Sequence, residues 1–182
     1  YNDNAKIGNL DGVYTFATTI NNIGNKVAYS ELATRDFIPM NLKIGNSFLA
    51  NFDAYNKVTF SLDLQKLLVP TPPNYYFDGQ DYIMTSGMNP DVGVINGMIQ
   101  SFYDAPGNVV VDEDEVPIAD ADGNYEVVKG TKFREELSEI NIAFGTEWWY
   151  NDVFAVRGGV FFESKNKGNR PVSYTHLRAH ET

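Results

Sequence analysis

Hydrophobic and polar residues alternate with a period of two along residues 139–163, which read EINIAFGTEWWYNDVFAVRGGVFFE. Most even positions are large and apolar, and the charged residues occupy odd positions. Because successive side chains of a strand point to opposite faces, this pattern predicts two strands joined by a short turn at residues 150–152. Each strand is about ten residues long with one aromatic face, as in a membrane-spanning β-hairpin between lipid and a polar lumen.

The same arrangement recurs nearer the N-terminus. Residues 38–52 and 57–69 alternate around a tight turn at residues 53–56, and residues 7–20 predict one more strand. Strands of soluble sheets are mostly about 5–6 residues long, whereas membrane strands need about 9–11. We therefore predict an all-β fold, a partial transmembrane antiparallel β-barrel of about five to six strands. A soluble β-sandwich binding module also alternates and is kept as an alternative.

Residues 70–132 do not follow this pattern. They open with Pro-Thr-Pro-Pro, which stops a strand, and Asn89-Pro90 predicts the start of a short helix over about 91–103. Residues 119–128 predict a small hairpin around Asp122-Gly123. Barrels have short turns on one rim and long loops on the other, so residues 70–132 are expected to be a long extracellular loop, with 21–37 and 164–171 on the same rim.

Composition excludes several functions. The 182 residues include no Cys, so disulfides and Cys-ligated metals are absent, and the net charge of −10 argues against a nucleic-acid surface. Neither a Ser/His/Asp set nor a phosphate loop is visible. Glu135-Glu136 could suggest glycoside hydrolysis, but adjacent acids in a strand approach imply no pocket. We predict a non-enzymatic protein with no cofactor.

The two ends carry expectations of their own. Residue 1 is Tyr, and no export signal is visible, so an outer-membrane protein would begin upstream of this sequence. Residues 172–182 lack alternation and resemble translated adapter sequence, so we expect them to be non-native and residues 1–171 to be the barrel part. The spacing of His176 and His180 would suit a metal pair on a helix, but both lie in this tail.

Two polar groupings are candidate sites. Asp120, Asp122, Asn124 and Glu126 partly follow a calcium-binding loop, but Ile118 stands where an acid is required, so an acidic solvated hairpin is favoured. If the hairpin loop is 151–153, Glu147 faces Arg157 and Glu139 faces Lys165. We expect Glu147 and Arg157 to form a lumenal ion pair that holds the hairpin, with a transport role as the alternative.

Many aromatic and Met side chains in one loop suggest a partner surface, because Tyr and Met are enriched at interface cores. The alternative is that they pack on one another or plug the barrel mouth. The candidate contact residues are Tyr75, Tyr76, Phe77, Tyr82, Met88, Met98, Phe102 and Tyr103.

Several long motifs resemble the PorV (LptO) family of the type IX secretion system. The most specific are YNKVTFSLDLQKLLVPTPP at 55–73 and EWWYNDVFAVRGG at 147–159, and the resemblance covers most of residues 7–171. It implies the C-terminal part of a FadL-like outer-membrane barrel of about fourteen strands, within the known range of such barrels. The acidic insert at 108–130 is longer than the family leads us to expect.

The resemblance also implies a function in the bacterial outer membrane. Members of the family bind the C-terminal β-domains of secreted cargo at the translocon and shuttle the cargo to a surface attachment complex with a sortase-like partner. The expected partners are thus cargo, secretion machinery and outer-membrane lipid, and no nucleic acid. A FadL-type transporter of hydrophobic small molecules shares the barrel and is kept as a second alternative.

Overall fold

The computed structural model describes residues 1–28, 35–164 and 172–179, the last of these as backbone only. The described residues form nine strands and two short helices. The strands are β1 (Asn2–Ile7), β2 (Leu10–Asn21), β3 (Asn41–Asn51), β4 (Asn56–Leu67), β5 (Asn74–Phe77), β6 (Tyr82–Ser86), β7 (Ile140–Tyr150), β8 (Phe154–Phe162) and β9 (Val172–Ala179). The helices are α1 (Val94–Gln100) and α2 (Thr131–Ser138).

The chain divides into two compact units. The first, the sheet unit, consists of Tyr1–Ile20, Leu42–Lys66 and Ile140–Thr182. The second, the loop unit, consists of Asn21–Asn41 and Leu67–Glu139.

One sheet of seven strands makes up the sheet unit, in the order β1-β2-β3-β4-β7-β8-β9. The registers of β1 with β2, β4 with β7, β7 with β8 and β8 with β9 are all antiparallel. The sheet is open, with β1 and β9 at its edges. This confirms the predicted fold class, because part of a barrel gives a single open antiparallel sheet.

The register sorts the side chains of the sheet onto two faces. Leu62 lies opposite Phe144 and Val58 opposite Trp148, so even positions of β4 and β7 share an apolar face. Thr59 lies opposite Glu147, so odd positions share a polar face. The apolar side chains stay substantially exposed; they include Phe60, Leu62, Ile142, Phe144, Trp148, Tyr150, Val160 and Phe162. A soluble sheet buries such a face, whereas lipid covers it in a membrane barrel.

Short turns and long connections alternate along the sheet. Residues 8–9, 52–55 and 151–153 are the short turns, and antiparallel pairing puts them at one end of the strands. Asn151 and Asp152 have φ of 51° and 57°, and the Val153 N–H donates to the Tyr150 carbonyl at 3.1 Å. Two successive left-handed residues define a type I′ turn, which Asn and Asp tolerate. The Asn151 N–H also donates to the Tyr55 carbonyl at 2.7 Å, tying the two turns together.

The sheet differs from the sequence prediction at its edges. The single strand expected at 7–20 is two strands, β1 and β2, so seven strands replace the predicted five to six. The segment from residue 172, expected to lack regular structure, forms β9 and pairs with β8. Whether that segment is native sequence stays a prediction. Between residues 22 and 28 there is no strand; Val27 makes an isolated bridge with Asp36.

The loop unit has more regular structure than expected. β5 and β6 form a separate antiparallel hairpin. The predicted helix exists but starts at Val94, because the Asn89 side chain accepts from the Asp91 N–H at 2.9 Å and closes a turn before the helix. Helix α2 was not predicted; it holds Glu135 and Glu136, which were assigned to a strand approach. Within the described ranges, neither helix is long and apolar enough to cross a membrane.

Candidate functional site

The polar face of the sheet carries the predicted ion pair. Glu147 lies directly opposite Arg157 in the β7–β8 register, and the Arg157 Nε donates to the Glu147 Oε2. The Trp149 Nε1 donates to the other carboxylate oxygen, and the Arg157 guanidinium lies 5.6 Å from the Trp149 ring centroid. The carboxylate is thus held from both sides. Lys165, expected opposite Glu139, lies outside the described residues, and Glu139 ends α2 and precedes β7.

Small residues line the polar face beside this pair. Thr59, Ser61, Gly145 and Gly158 surround a shallow recess of about 200 Å³. The Ser61 Oγ donates to the Gly145 carbonyl at 3.3 Å, and a Cβ on Gly145 would lie 2.7 Å from the Ser61 Oγ. A larger residue at position 145 would therefore require the Ser61 side chain to move and this hydrogen bond to break. The ion pair joins β7 to β8 across this recess. That its role is to hold the hairpin stays a prediction.

Aromatic rings cluster at the short-turn end of the apolar face. Trp148 lies 6.2 Å from both Tyr150 and Phe154, and Tyr150 lies 6.5 Å from Tyr55. The Trp148 Nε1 donates to the Asn56 side chain at 3.1 Å. Rings that are apolar at one end and hydrogen-bonded at the other are typical of the aromatic girdle at a membrane interface.

The β5–β6 hairpin carries four of the eight predicted partner residues. Tyr75 pairs with Met84 and Phe77 with Tyr82, so these four side chains lie on one face of the hairpin. All four are about half exposed or more, and Tyr82 is 74% exposed. The Phe77 and Tyr82 rings contact each other at 5.1 Å. Tyr76, on the other face, is less exposed. The hairpin therefore presents a continuous apolar face to its surroundings.

Helix α1 and the turn after it add a second apolar surface. Phe102 and Tyr103 are 51% and 59% exposed, as expected of contact residues, while Met98 is only partly exposed. Ile95 and Ile99 are also exposed, at 71% and 57%, although neither was among the predicted contact residues. A surface helix ordinarily buries its apolar face, so sequence alone does not mark these two residues as contacts.

The base of the loop unit is held by buried carboxylates. Asp104 is 1% exposed, and its Oδ2 accepts from the Thr71 N–H at 3.0 Å, while its Oδ1 has no partner among the described residues. Burial raises the pKa of Asp104, hydrogen bonds from Thr71 and Gln100 act to lower it, and the nearby charge of Glu136 raises it further. The Thr71 hydroxyl donates to the buried Glu139 at 2.7 Å.

Helix α2 clamps the chain that follows Asp104. The Ala105 N–H donates to Glu136 at 2.8 Å, the Gly107 N–H donates to Glu135 at 2.7 Å, and the Asn108 N–H donates to the Thr131 hydroxyl at 2.9 Å. Residue 106 is Pro and has no N–H. Every backbone donor from 105 to 108 is therefore satisfied by one helix. We call this arrangement the α2 clamp.

The N-terminal part of the chain is similar to a known protein family. Residues 1–74 match the family model of the type IX secretion system protein PorV. The matched family is the one that the sequence motifs resemble. The match includes the motif at residues 55–73, while the motif at 147–159 lies beyond it. Comparison with curated proteins finds no match.

The PorV match supports a role in type IX secretion at the outer membrane. PorV is a secretion component and not a known enzyme family. Glu135 and Glu136, the acid pair that could suggest glycoside hydrolysis, accept backbone hydrogen bonds in the α2 clamp. His176 lies in strand β9 and not on a helix, and His180 lies outside the described residues.

The weak calcium candidate is a hydrogen-bonded turn. The Asp120 Oδ1 accepts from the N–H groups of Asp122 and Asn124 at 2.9 and 2.8 Å, and these bonds, the one from Asn124 first, lower the pKa of Asp120. Across residues 1–28 and 35–164, no three His, Asp or Glu side chains converge as a metal site would need. The predicted hairpin is present as a bridge between Ala119 and Tyr125.

Proposed function

We propose that this chain belongs to an outer-membrane barrel that binds the C-terminal β-domains of secreted cargo and passes the cargo from the translocon to a surface attachment complex. The sheet unit anchors the protein in lipid, and the loop unit makes the contacts with partners. The proposed contact residues are Tyr75, Phe77 and Tyr82 of the β5–β6 hairpin, Met88 between the hairpin and α1, and Phe102 and Tyr103 after α1, together with the less exposed Tyr76 and Met98.

The observation that carries the proposal is the exposed apolar surface of the loop unit. Tyr82, Ile95 and Tyr103 are each more than half exposed on a segment that also contains two helices and a hairpin. Aromatic side chains held on ordered structure offer contact area at low entropic cost, which is typical of binding hot spots. The PorV match supplies the biological setting, since it places related proteins in type IX secretion.

Affinity capture of the full-length protein from its native cells tests this function. Cargo C-terminal domains should co-purify with the wild-type protein and be depleted from a Tyr82→Ser, Tyr103→Ser variant. A matched variant, Tyr125→Ser with Val128→Ser, changes similar residues in the acidic segment and should keep its cargo. Absence of cargo from the wild-type capture, with the protein correctly inserted, would contradict the proposal.

A second candidate is transport of hydrophobic small molecules, as in FadL-type barrels. The observation in its favour is a recess of about 710 Å³ within the loop unit, lined by Phe37, Val69 and three prolines. Lys26 and Arg35 also line it, and the Lys26 Nζ lies 4.5 Å from the Phe37 ring centroid and 3.0 Å from Asp91. Asp36 and Asp91 line the recess as well and balance these two cations, so it is the apolar part of the wall that suits a hydrophobic molecule. Loss of long-chain fatty-acid uptake on deletion, with secretion intact, would favour this candidate over the first.

A further inference from the structure

We infer that the β5–β6 hairpin is the docking platform for an extended polypeptide strand that alternates apolar and Lys or Arg side chains. The inference deepens the proposed function and rests on it, because it names the chemistry of the segment that the loop unit would bind. Three separate observations support it: open strand edges, an aromatic face and an unbalanced negative charge.

The first observation is the pairing of the hairpin. Among the described residues, β5 and β6 form a two-stranded sheet of their own and pair with no other strand. Each strand therefore has an outer edge of backbone N–H and C=O groups that no ladder satisfies. Such an edge is a template for one more strand, and an added strand gains both main-chain hydrogen bonds and side-chain contacts on one face.

The second observation is that hydrogen bonds and close contacts fix the base of the hairpin, while its strands carry an exposed apolar face. The Asn74 side chain donates to the Ser86 hydroxyl at 3.1 Å and to the Gly107 carbonyl at 2.8 Å. A Cβ on Gly87 would lie 2.8 Å from Pro73, so the chain leaves the hairpin in tight contact with its base. The face formed by Tyr75, Phe77, Tyr82 and Met84 can therefore receive the apolar side chains of a docked strand without much loss of entropy.

The third observation fixes the charge of the occupant. Residues 67–128 contain eleven acidic residues and no Lys, Arg or His, so this segment carries −11 while the rest of the chain carries +1. Two of these acids, Asp78 and Asp81, lie at the tip of the hairpin. The Asp78 Oδ1 accepts from the N–H groups of Asp81 and Gln80, both at 2.8 Å, which lowers the pKa of Asp78 and keeps it ionised. A cationic strand is attracted to this surface and an anionic strand is repelled.

Synthetic peptides of about eight residues, the length of a short strand, test the inference with the full-length protein in detergent. The probe alternates Val and Lys. One control alternates Val and Glu, and a second carries the Val-Lys sequence with N-methyl groups on alternate backbone nitrogens, which block strand pairing. We expect the Val-Lys peptide to bind, the Val-Glu peptide not to bind, and N-methylation to weaken binding by about tenfold or more, since it removes several main-chain hydrogen bonds.

Matched variants locate the site. Asp78→Asn with Asp81→Asn keeps the acceptors that close the turn and removes two charges, and it should weaken the peptide about fivefold or more at low salt. Asp112→Asn with Asp114→Asn removes two charges from the acidic segment and should weaken it less than about twofold. The inference is overturned if the two double variants weaken peptide binding equally, or if the N-methylated peptide binds as well as the unmodified one. Either result would mean that the peptide is attracted by charge alone and does not pair with a strand edge.

Cargo capture separates this inference from the function on which it rests. Loss of both peptide and cargo in the Asp78→Asn, Asp81→Asn variant would support the docking site. Loss of the peptide with cargo retained would show that cargo does not dock on this hairpin, which overturns the inference and leaves the proposed function standing. If the wild-type protein captures no cargo, the proposed function fails, and the peptide measurements alone decide whether the hairpin docks a cationic strand.

Discussion

The sheet unit and the loop unit expose apolar side chains in opposite ways. In the sheet, exposed Leu62, Phe144 and Trp148 follow a strict period of two and share one face. In the loop unit, exposed Tyr82, Ile95 and Tyr103 lie on a hairpin, a helix and a turn. A regular apolar face suits a uniform solvent such as lipid, whereas an irregular one suits a specific partner. Under the proposed function, the pattern of exposure, and not its amount, distinguishes the membrane anchor from the binding surface.

The largest expected effect is a charge on the apolar face of the sheet. In the full-length protein, Leu62→Arg should lower the free energy of unfolding in lipid by about 2–4 kcal/mol, because the guanidinium would lie in hydrocarbon. Gln65→Arg, on the polar face of the same strand, is the control and should change it by less than about 1 kcal/mol. Denaturant unfolding from lipid vesicles measures both. Equal costs for the two variants would mean that lipid does not cover the even face.

A smaller effect is expected from opening the α2 clamp. Glu135→Ala leaves the buried Gly107 N–H without its acceptor, which should cost about 1–3 kcal/mol. Glu135→Gln keeps an acceptor oxygen and should cost clearly less. Hydrogen exchange at residues 105–108 reports the difference, since only an opened clamp exposes these N–H groups. Unchanged protection of Gly107 in Glu135→Ala would contradict this account of the clamp.

The ion pair of the polar face should contribute less again. A double-mutant cycle with Glu147→Gln and Arg157→Gln should give a coupling of about 1 kcal/mol, because the pair is partly buried and charge-assisted. The Lys43–Asp63 pair, at 3.8 Å and more exposed, is the comparison and should give less than about 0.5 kcal/mol. If the two couplings are equal, the polar face does not shelter Glu147 from solvent.

The most subtle effect is the pH dependence of the loop unit. Burial raises the pKa of Asp104, so the folded state loses stability as the pH rises from the ordinary value of this carboxyl through the raised one. Asp104→Asn removes that loss, and its stability relative to wild type should increase over this interval. Asp78 has a lowered pKa, so Asp78→Asn should instead lose stability relative to wild type as the pH rises through that lowered value. Hydrogen exchange of the Thr71 and Asp81 N–H groups measures the local stability at the two sites. If stability changes with pH in the same direction and by the same amount at both sites, the opposite pKa shifts of Asp104 and Asp78 are contradicted.

Most of the sheet was accessible from sequence because period-two alternation reports the environment of each strand directly. The register of β7 with β8 followed from the loop at 151–153, which fixes Glu147 opposite Arg157. β1 was missed because four of its six residues, Asn-Asp-Asn-Ala-Lys-Ile, are polar and only one is large and apolar. Strand β1 is held by its pairing with β2, which the alternation of hydrophobic and polar residues does not reveal.

The loop unit was predicted less well because distant contacts shape it. The apolar residues of α2, Phe133 and Leu137, are both exposed, so no buried face marked this helix. Its carboxylates instead bind N–H groups about thirty residues earlier in the chain, which local sequence cannot reveal. The aromatic contact candidates were recognisable by composition alone, but their sharing of a face required the β5–β6 register.

The α2 clamp has a consequence for how the chain tolerates change in length. It joins residues 105–108 to residues 131–136, so the acidic excursion between them leaves and returns at one fixed point. For a loop closed at its base, each doubling of length adds only about 0.6 kcal/mol of chain entropy. We therefore expect changes of length within residues 112–126 to have little effect on the residues that the clamp joins, which would accommodate an insert longer than the sequence resemblance leads us to expect.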